Sequence, residues 1–277
     1  MVTQAYRTLR VTPTQKGVLS VVIDAPPMNL VGPELVRDLV GLFGTLESGE
    51  ETRVAVLESA DPDYFIPHVD LTKVAEYTAE AAKAGGPGDA SLGMLWHKLS
   101  ELPVVTIAKI RGRARGAGSE LALACDMRFA ARENAILGQI EVGAGTLPGA
   151  GGVQHLARLL GRGRAMEAIL GADDFDAEMA ERYGWVNRAL PDADLDAFVA
   201  RLARRIASFP VDGVRTAKRV LNELTMPGAD AIRADARRFH QLVISDAAQG
   251  RTAALFAQGL QTRGPLELDL GDRLGTL

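Results

Sequence analysis

The sequence predicts an α/β fold that gives way to a helical C-terminal region. Up to about Ala189, short apolar stretches of strand type alternate with stretches of helical periodicity. Such alternation favours mostly parallel strands that are covered by helices. After Asp194 the periodic stretches are nearly all helical and rich in alanine and leucine. We therefore divide the chain into a core of residues 1–193 and a helical region of residues 194–277.

Composition narrows the class of protein. The 277 residues are 47% hydrophobic and 24% charged, as in soluble globular proteins, and the net charge of −4 gives no basic excess for nucleic acid. The N-terminus lacks a signal-peptide core, and no apolar run approaches the roughly 18 residues of a membrane helix. The single cysteine, Cys125, fits a reducing compartment and a buried structural thiol. We expect a cytoplasmic protein without membrane or nucleic-acid partners.

The first hundred residues predict a hairpin, three helices and a third strand. Strands are expected at residues 6–12, 18–24 and 54–57, and helices at residues 33–46 and 92–102. Pro67 argues against a regular central strand around it, and Asp70 is placed to cap a helix that begins near Thr72. Residues 79–89 contain few large apolar side chains, so we expect a mobile surface segment there.

A glycine turn then joins a buried strand at residues 102–107 to a helix that contains Glu120. Such a junction directs free backbone N–H groups and the positive end of a helix dipole at one point. The spacing of Gly112, Gly116 and Gly118 does not match a dinucleotide fingerprint, and the lysine of a phosphate loop is missing. Two interpretations remain: an oxyanion site with Glu120 beside it as acid or base, or a turn whose glycines only permit close packing.

The second half predicts three short strands and many helices. Strands are expected at residues 127–131, 135–137 and 185–189. Helices are expected at residues 153–160, 165–170, 176–183, 195–208, 211–223, 229–245 and 248–261. The helical end could cap the core or form an oligomer interface. The tail from Gly264 is expected to be extended or loose.

Two glutamates lie beside glycines in apolar surroundings. Glu120 follows Gly118, and Glu141 precedes Gly143, with 21 residues separating the two carboxylates. This spacing accommodates one helix, one return strand and a turn, which can bring both carboxylates to the same end of a sheet. Either glutamate alone is more typical of a surface salt bridge. The joint pattern favours a shared site.

Four segments together resemble the enoyl-CoA hydratase/isomerase family, the crotonase superfamily, over about residues 17–261. They are residues 25–30 (APPMNL), 65–71 (FIPHVDL), 110–126 (IRGRARGAGSELALACD) and 138–152 (GQIEVGAGTLPGAGG). The resemblance implies a crotonase-like spiral of ββα units with a C-terminal helical trimerisation region, often assembled as a dimer of trimers. It also implies a coenzyme A thioester as substrate, with no prosthetic group and no metal.

The resemblance also assigns roles to particular residues. It implies that the backbone N–H groups of Val69 and Ala117 form an oxyanion hole and that Glu120 and Glu141 are the two hydratase carboxylates. The substrate-binding positions that it implies are Pro67, His68, Asp70, Leu71 and Gly116.

Several positions depart from the family pattern. The family usually has Ala-Gly-Ala-Asp where this chain has Pro67-His68-Val69-Asp70, so an imidazole replaces a hydrogen atom. We expect His68 to be half-exposed at the pocket rim rather than chemically active. Ala117 replaces a glycine, which requires a negative φ.

Three arginines form a basic cluster before the glycine turn, at Arg111, Arg113 and Arg115. Two interpretations of this cluster remain open. The arginines contact the phosphates of a coenzyme, or their side chains are solvated or ion-paired. The cluster is also the sole support for RNA binding, which we disfavour because basic clusters are usually solvated faces.

The expected reaction is the addition of water to a 2-enoyl-CoA. Two fixed amide donors would stabilise the enolate-like charge, while the two glutamates exchange protons with water. In a dry pocket the two carboxylates should share a proton, and the sequence leaves open which one holds it. Isomerisation or another enolate reaction, with one active carboxylate, and acyl-CoA binding without turnover are the alternatives.

Overall fold

Two β-sheets form the centre of the computed structural model, which describes residues 5–85 and 91–276. The strands are β1 (Leu9–Gln15), β2 (Val18–Ile23), β3 (Val54–Ser59), β4 (Tyr64–Ile66), β5 (Val105–Ile110), β6 (Arg113–Arg115), β7 (Met127–Ala131), β8 (Ile136–Gly138), β9 (Asp174–Asp176) and β10 (Arg188–Leu190).

Helices cover both sheets and make up most of the C-terminal third. They are α1 (Pro33–Ser48), α2 (Val74–Gly85), α3 (Leu92–Glu101), α4 (Ala117–Ala124), α5 (Gly152–Leu160), α6 (Arg162–Gly171), α7 (Ala177–Tyr183), α8 (Asp192–Ala207), α9 (Val211–Thr225), α10 (Ala229–Val243), α11 (Asp246–Ala257), α12 (Pro265–Leu268) and α13 (Leu270–Leu274). No helix of the described ranges is both long and apolar enough to cross a membrane.

The six-stranded sheet has the order β1-β2-β3-β5-β7-β10, and the four-stranded sheet has the order β4-β6-β8-β9. Strand β1 pairs antiparallel with β2, and β9 pairs antiparallel with β8, whereas the other strand pairs are parallel. The chain passes from the first sheet to the second three times, from β3 to β4, from β5 to β6 and from β7 to β8. This alternation confirms the expected spiral of ββα units.

The parallel order of β4, β6 and β8 assembles the candidate site. Because the carboxyl ends of neighbouring parallel strands lie at the same sheet edge, the segments that follow these strands converge. Those segments are residues 67–71 after β4, Gly116 and α4 after β6, and residues 139–141 after β8.

Helix α4 lies at the centre of the molecule and buries all eight of its residues. Its N-terminus packs so tightly on β4 that a Cβ atom at Gly118 would lie 2.1 Å from the backbone oxygen of Ile66. Glycine is therefore required at residue 118 by the close approach of helix and strand. Cys125 directly follows the helix and is buried, as expected.

Two expectations about irregular segments were wrong. Helix α2 continues to Gly85 and buries Ala81, so residues 79–85 are not a mobile surface segment, while residues 86–89 lie outside the described residues. The tail from Gly264 is not extended, because it forms α12 and α13. These short helices bury Leu266, Leu270 and Leu274 against Ile140, Leu255 and Leu260. A burial pattern of three leucines spread over two helical turns was too short to recognise beforehand.

Strand boundaries also differ from the expected ones. The last strand is Arg188–Leu190 rather than residues 185–189, because Trp185 turns into the core, where it is fully buried. Strands β4, β6 and β9 were not predicted. Each has three residues, and β6 lies within the segment that we interpreted as a turn.

Candidate active site

The loop after β4 presents the amide of Val69 to a cavity. Val31 donates its N–H to the carbonyl of His68 (3.0 Å), and its own carbonyl accepts from Asp70 N (3.1 Å). Because the C=O and N–H groups of a trans peptide point in opposite directions, the N–H of Val69 points away from Val31. Val69 lines the cavity.

The turn between β6 and α4 presents a second amide. Gly116 has φ 49° and ψ −124°, a conformation open to glycine, and its N–H donates to the carbonyl of Gly138 (3.0 Å). Ala117 keeps a negative φ, which meets the condition for an alanine at this position. Its N–H lies in the first helical turn, where backbone donors have no intrahelical acceptor. Within residues 5–85 and 91–276 no backbone acceptor engages the amides of Val69 or Ala117.

Glu120 is held by the second glycine-rich segment. Its Oε1 accepts hydrogen bonds from the backbone N–H groups of Ala150 (2.8 Å) and Gly152 (2.9 Å). The side chain is buried, and burial raises the pKa of Glu120 to about 7 even though both amides favour the ionised form. The negative charge of Asp235 adds a smaller upward effect.

Glu141 contacts the side chain of Gln139. Gln139 Nε2 lies 3.2 Å and 3.4 Å from the two carboxylate oxygens of Glu141. A Cβ atom placed on Gly152 would lie 2.8 Å from the same nitrogen and 3.1 Å from Glu120 Oε1. Gln139 Nε2, which contacts Glu141, and Glu120 Oε1 therefore both lie close to Gly152. Burial, together with the charge on Glu120, raises the pKa of Glu141 well above its ordinary value.

The two carboxylates receive different hydrogen-bond donors. Glu120 receives two short hydrogen bonds from backbone amides, which stabilise a carboxylate. Glu141 receives long contacts from the Gln139 amide group and a hydrogen bond from its own backbone N–H, and the charge on Glu120 disfavours its ionised form. These surroundings favour the ionised form of Glu120 over that of Glu141.

Both glutamates and both amides line a single cavity, which is mostly apolar. Its walls come from the loop after β4, from α2 and α3, and from the C-terminal helices α10, α11 and α13. Besides the two glutamates, Val69 and Ala117, the lining includes His68, Leu71, Tyr77, Leu92, Gly116, Ile140, Phe239, Val243, Leu255, Leu270 and Leu274. An apolar channel with a few convergent polar groups suits a ligand with a hydrocarbon part.

Most of the predicted site residues meet at this cavity, but two do not line it. His68, Leu71 and Gly116 lie on its wall. Pro67 is buried beneath the loop. Asp70 turns toward the helix start, where its Oδ1 accepts from the backbone N–H of Thr72 (3.0 Å).

The expected half-exposed position of His68 was wrong. Its exposed fraction is 5%, because its Nε2 lies 2.9 Å from the buried carboxylate of Glu267, a residue that is 199 positions away in the chain. No local sequence signal connects two residues at that separation. The pairing exists only in the folded chain, where α12 places Glu267 beside His68.

The three arginines are engaged by the protein itself. Arg111 forms ion pairs with Asp192 and Asp196, and Arg115 is fully buried against Asp174. Arg113 donates from Nε to the carbonyl of Leu268 (2.8 Å). The ion-paired alternative therefore holds for Arg111 and Arg115, whereas Arg113 is hydrogen-bonded to the backbone.

Sequence reasoning missed the groups that hold the two glutamates. The amides of Ala150 and Gly152 and the side chain of Gln139 were not assigned roles beforehand. The signal that could have found them is the glycine-rich run 149–152, whose last glycines allow a backbone to approach a carboxylate closely. Gly151 adopts φ 109°, which orients the two amides on either side of it.

Comparison with known proteins assigns the family. The profile of the enoyl-CoA hydratase/isomerase family matches residues 13–261. The short-chain-enoyl-CoA hydratase of Clostridium acetobutylicum is 33% identical over 211 residues, which cover 75% of this chain and 79% of that protein. The crotonyl-CoA hydratase of Syntrophomonas wolfei is 30% identical over 220 residues, which cover 79% of this chain and 83% of that protein.

A solved structure agrees over the whole chain. A protein from Streptomyces avermitilis, provisionally named an enoyl-CoA hydratase, superposes with a TM-score of 0.98 at 63% identity, covering 100% of this chain and 99% of that one. Together with the profile match and the fold, this shows that the chain belongs to the enoyl-CoA hydratase/isomerase family.

Proposed function

We propose that the protein adds water across the double bond of a 2-enoyl-CoA thioester. The observation that carries the proposal is the convergence of two buried glutamates and of the Val69 and Ala117 amides, which have no backbone acceptor among the described residues, on one apolar cavity. The thioester oxygen would accept hydrogen bonds from both amides, where enolate-like negative charge develops. Loss of one such donor typically costs about 2.7–4 kcal/mol of transition-state stabilisation.

The unequal carboxylates supply the two proton transfers. Glu120, as the carboxylate, takes a proton from water while the water oxygen bonds to the β-carbon of the substrate. Glu141, as the acid, gives its proton to the α-carbon. Each turnover leaves the shared proton on the other glutamate, and transfer between the two through the product-free pocket restores the starting state.

Isomerisation is the main rival because it uses the same oxyanion hole. Shifting a double bond requires one carboxylate to remove and return a proton, so the second carboxylate would have no chemical task. Both glutamates line the cavity here and differ in their hydrogen-bond donors. That difference favours hydration, in which base and acid act together. A family member that only binds acyl-CoA would need neither carboxylate.

The decisive experiment compares Glu120→Gln and Glu141→Gln with the wild type. Hydration of crotonyl-CoA and longer 2-enoyl thioesters is followed by loss of enoyl absorbance, and coenzyme A thioester affinity is measured in parallel. We expect kcat to fall about 10²–10⁴-fold in each variant, since each removes one proton transfer, while affinity is retained by the backbone donors. If only one variant is impaired, the reaction is isomerisation or another one-carboxylate process. A wild type without turnover on any chain length would make the protein a binder.

Assembly as a trimer or dimer of trimers is also proposed. Helix α9 buries none of its side chains within the chain, and large apolar side chains are exposed along the C-terminal helices. These side chains are Phe209, Val220, Leu221, Leu224, Leu242, Ile244 and Phe256. Exposed apolar surface of this extent favours burial between subunits. A monomer by light scattering at micromolar concentration would contradict this assembly.

A further inference from the structure

The imidazole of His68 is held between two hydrogen-bond acceptors beside the oxyanion hole. Its Nδ1 lies 2.8 Å from the carbonyl oxygen of Val69. Its Nε2 lies 2.9 Å and 3.2 Å from the two carboxylate oxygens of Glu267. Both side chains are buried, with exposed fractions of 5% for His68 and 0% for Glu267.

The surroundings of Glu267 define the chemistry of this contact. A carbonyl oxygen only accepts, so His68 Nδ1 must carry the hydrogen that points to Val69. Burial alone would raise the pKa of Glu267, but the hydrogen bond and charge of His68, the amide of Gln261 and the charge of Arg115 outweigh burial and lower it. The lowered pKa favours an ionised carboxylate, which lies within hydrogen-bond distance of His68 Nε2.

The turn that carries Glu267, α12, also contacts the strand that delivers the second amide. Arg115, at the end of β6, donates to the carbonyls of Glu267 (2.5 Å) and Leu268 (3.0 Å). Arg113 donates to the carbonyl of Leu268 (2.8 Å). Residue Gly116 and the donor residue Ala117 follow this strand directly.

We propose that α12 positions the oxyanion hole, with Glu267 acting through His68 on the Val69 amide and the α12 carbonyls acting on β6. The inference rests on the proposed hydration chemistry for its kinetic readout only. Neither His68 nor Glu267 transfers a proton in this proposal. Both are positioning residues.

The geometry explains why the link matters. Val69 is fixed on one side by the two hydrogen bonds to Val31, which orient the peptides before and after it. The His68 ring fixes the carbonyl of Val69 on the cavity side, where substrate would otherwise meet an unrestrained loop. Without that bond the amide can tilt. A misplacement of about 1 Å in a catalytic group can cost about 100-fold in rate.

The test measures the strength of the hydrogen bonds in the hole without requiring turnover. Butyryl-CoA labelled with ¹³C at the thioester carbonyl is bound to the enzyme, and its carbonyl band is recorded by infrared difference spectroscopy. In the wild type the band should lie at lower wavenumber than in free butyryl-CoA, because two donors polarise the carbonyl. In Glu267→Ala and His68→Ala the band should move back toward the free position. Their kcat for crotonyl-CoA should fall roughly 10–100-fold with KM within about 3-fold.

Two further variants separate positioning from a general loss of structure. Glu267→Gln keeps an oxygen for the Gln261 amide and offers an N–H to His68 Nε2, so the link survives without charge. We expect this variant to restore the band position and most of kcat. The matched control is Asp126→Ala, which removes a carboxylate that also accepts from a backbone amide, of Thr106, and from a cation, Lys218, but lies outside the cavity. It should lower the melting temperature without moving the band.

The double variant His68→Ala/Glu267→Ala completes the test. Because the two residues act as one link, its kcat should fall no further than in the single variants. The link would be overturned if the losses of kcat in the two single variants added up in the double variant. It would also be overturned if both single variants kept the wild-type band position, or if the band of Glu267→Gln were displaced as far as that of Glu267→Ala. A wild type that shifts the band but hydrates nothing would refute hydration and leave positioning intact. A wild type that leaves the band at its free position has no oxyanion hole to position, which would refute the inference.

Discussion

Burial of Glu120 makes a prediction about stability that is independent of catalysis. A glutamate side chain has an ordinary pKa of 4.5, whereas burial raises the pKa of Glu120 to about 7. The folded protein therefore holds this proton more tightly than the unfolded chain. Between these two values the folded state binds more protons, so its stability must fall as pH rises.

The magnitude follows from the size of this shift. One pKa unit corresponds to about 1.4 kcal/mol, so the upward shift of Glu120 should cost about 3 kcal/mol of unfolding free energy across the window. The stabilisation that this bound proton gives the folded state is fully present below pH 4.5 and is lost by the time the pH passes about 7. Glu141, whose pKa is also raised, extends the loss in the same direction.

The perturbation is Glu120→Gln, which cannot ionise. We expect this variant to gain stability relative to the wild type as pH rises from 5 to 8, by about 3 kcal/mol in total. Guanidinium unfolding at fixed protein concentration, at intervals across this range, measures the difference. Glu181→Gln, at an exposed position on α7, is the control whose curve should parallel the wild type. If the difference between Glu120→Gln and wild type does not change with pH, the burial argument is refuted.

Two further predictions concern the same site. As pH is lowered, kcat/KM for hydration should fall near pH 7, where Glu120 gains its proton. Asp235→Asn should move this fall to lower pH, because it removes a negative charge that raises the pKa of Glu120. A fall at the same pH in the variant would contradict this prediction. Gly118→Ala should lower the melting temperature and reduce the free energy of unfolding by about 1–3 kcal/mol, because its Cβ would lie 2.1 Å from Ile66 O. The clash would also separate the two elements that carry the amides, so kcat should fall at least about 10-fold. Gly213→Ala, in an open part of helix α9, should instead raise the melting temperature in the same thermal scan.

Local sequence patterns could predict only part of the site. Glu141 follows β8, which such a pattern predicted, whereas Val69 and Gly116 follow β4 and β6, which it did not, and the family resemblance placed Val69 in the site. The general alternation of strands and helices was recognisable from the sequence, but the ββα spiral came from the resemblance. Local periodicity and glycine placement encode such features, since both act over a few residues.

The rest depends on contacts between distant residues. Glu267 meets His68 across 199 positions, and Arg115 meets Glu267 across 152. Helix α12 has four residues, too few for a periodic signal, and its acid sits in a tail that looks unstructured by composition. The prediction for the tail failed because tertiary burial, not local propensity, orders it.

The departure from the family pattern at residue 68 makes physical sense only together with the acid at residue 267. Changing His68 alone to the glycine that is usual in the family would leave the Glu267 carboxylate buried without its partner, at a cost of about 3–5 kcal/mol. Changing Glu267 alone would leave a buried imidazole with one unpaired nitrogen. Each residue is therefore tolerable only in the presence of the other. In relatives of this chain with glycine at the first position, an acid that points toward the oxyanion loop should be absent from the C-terminal turn, and the loop must be held by other contacts.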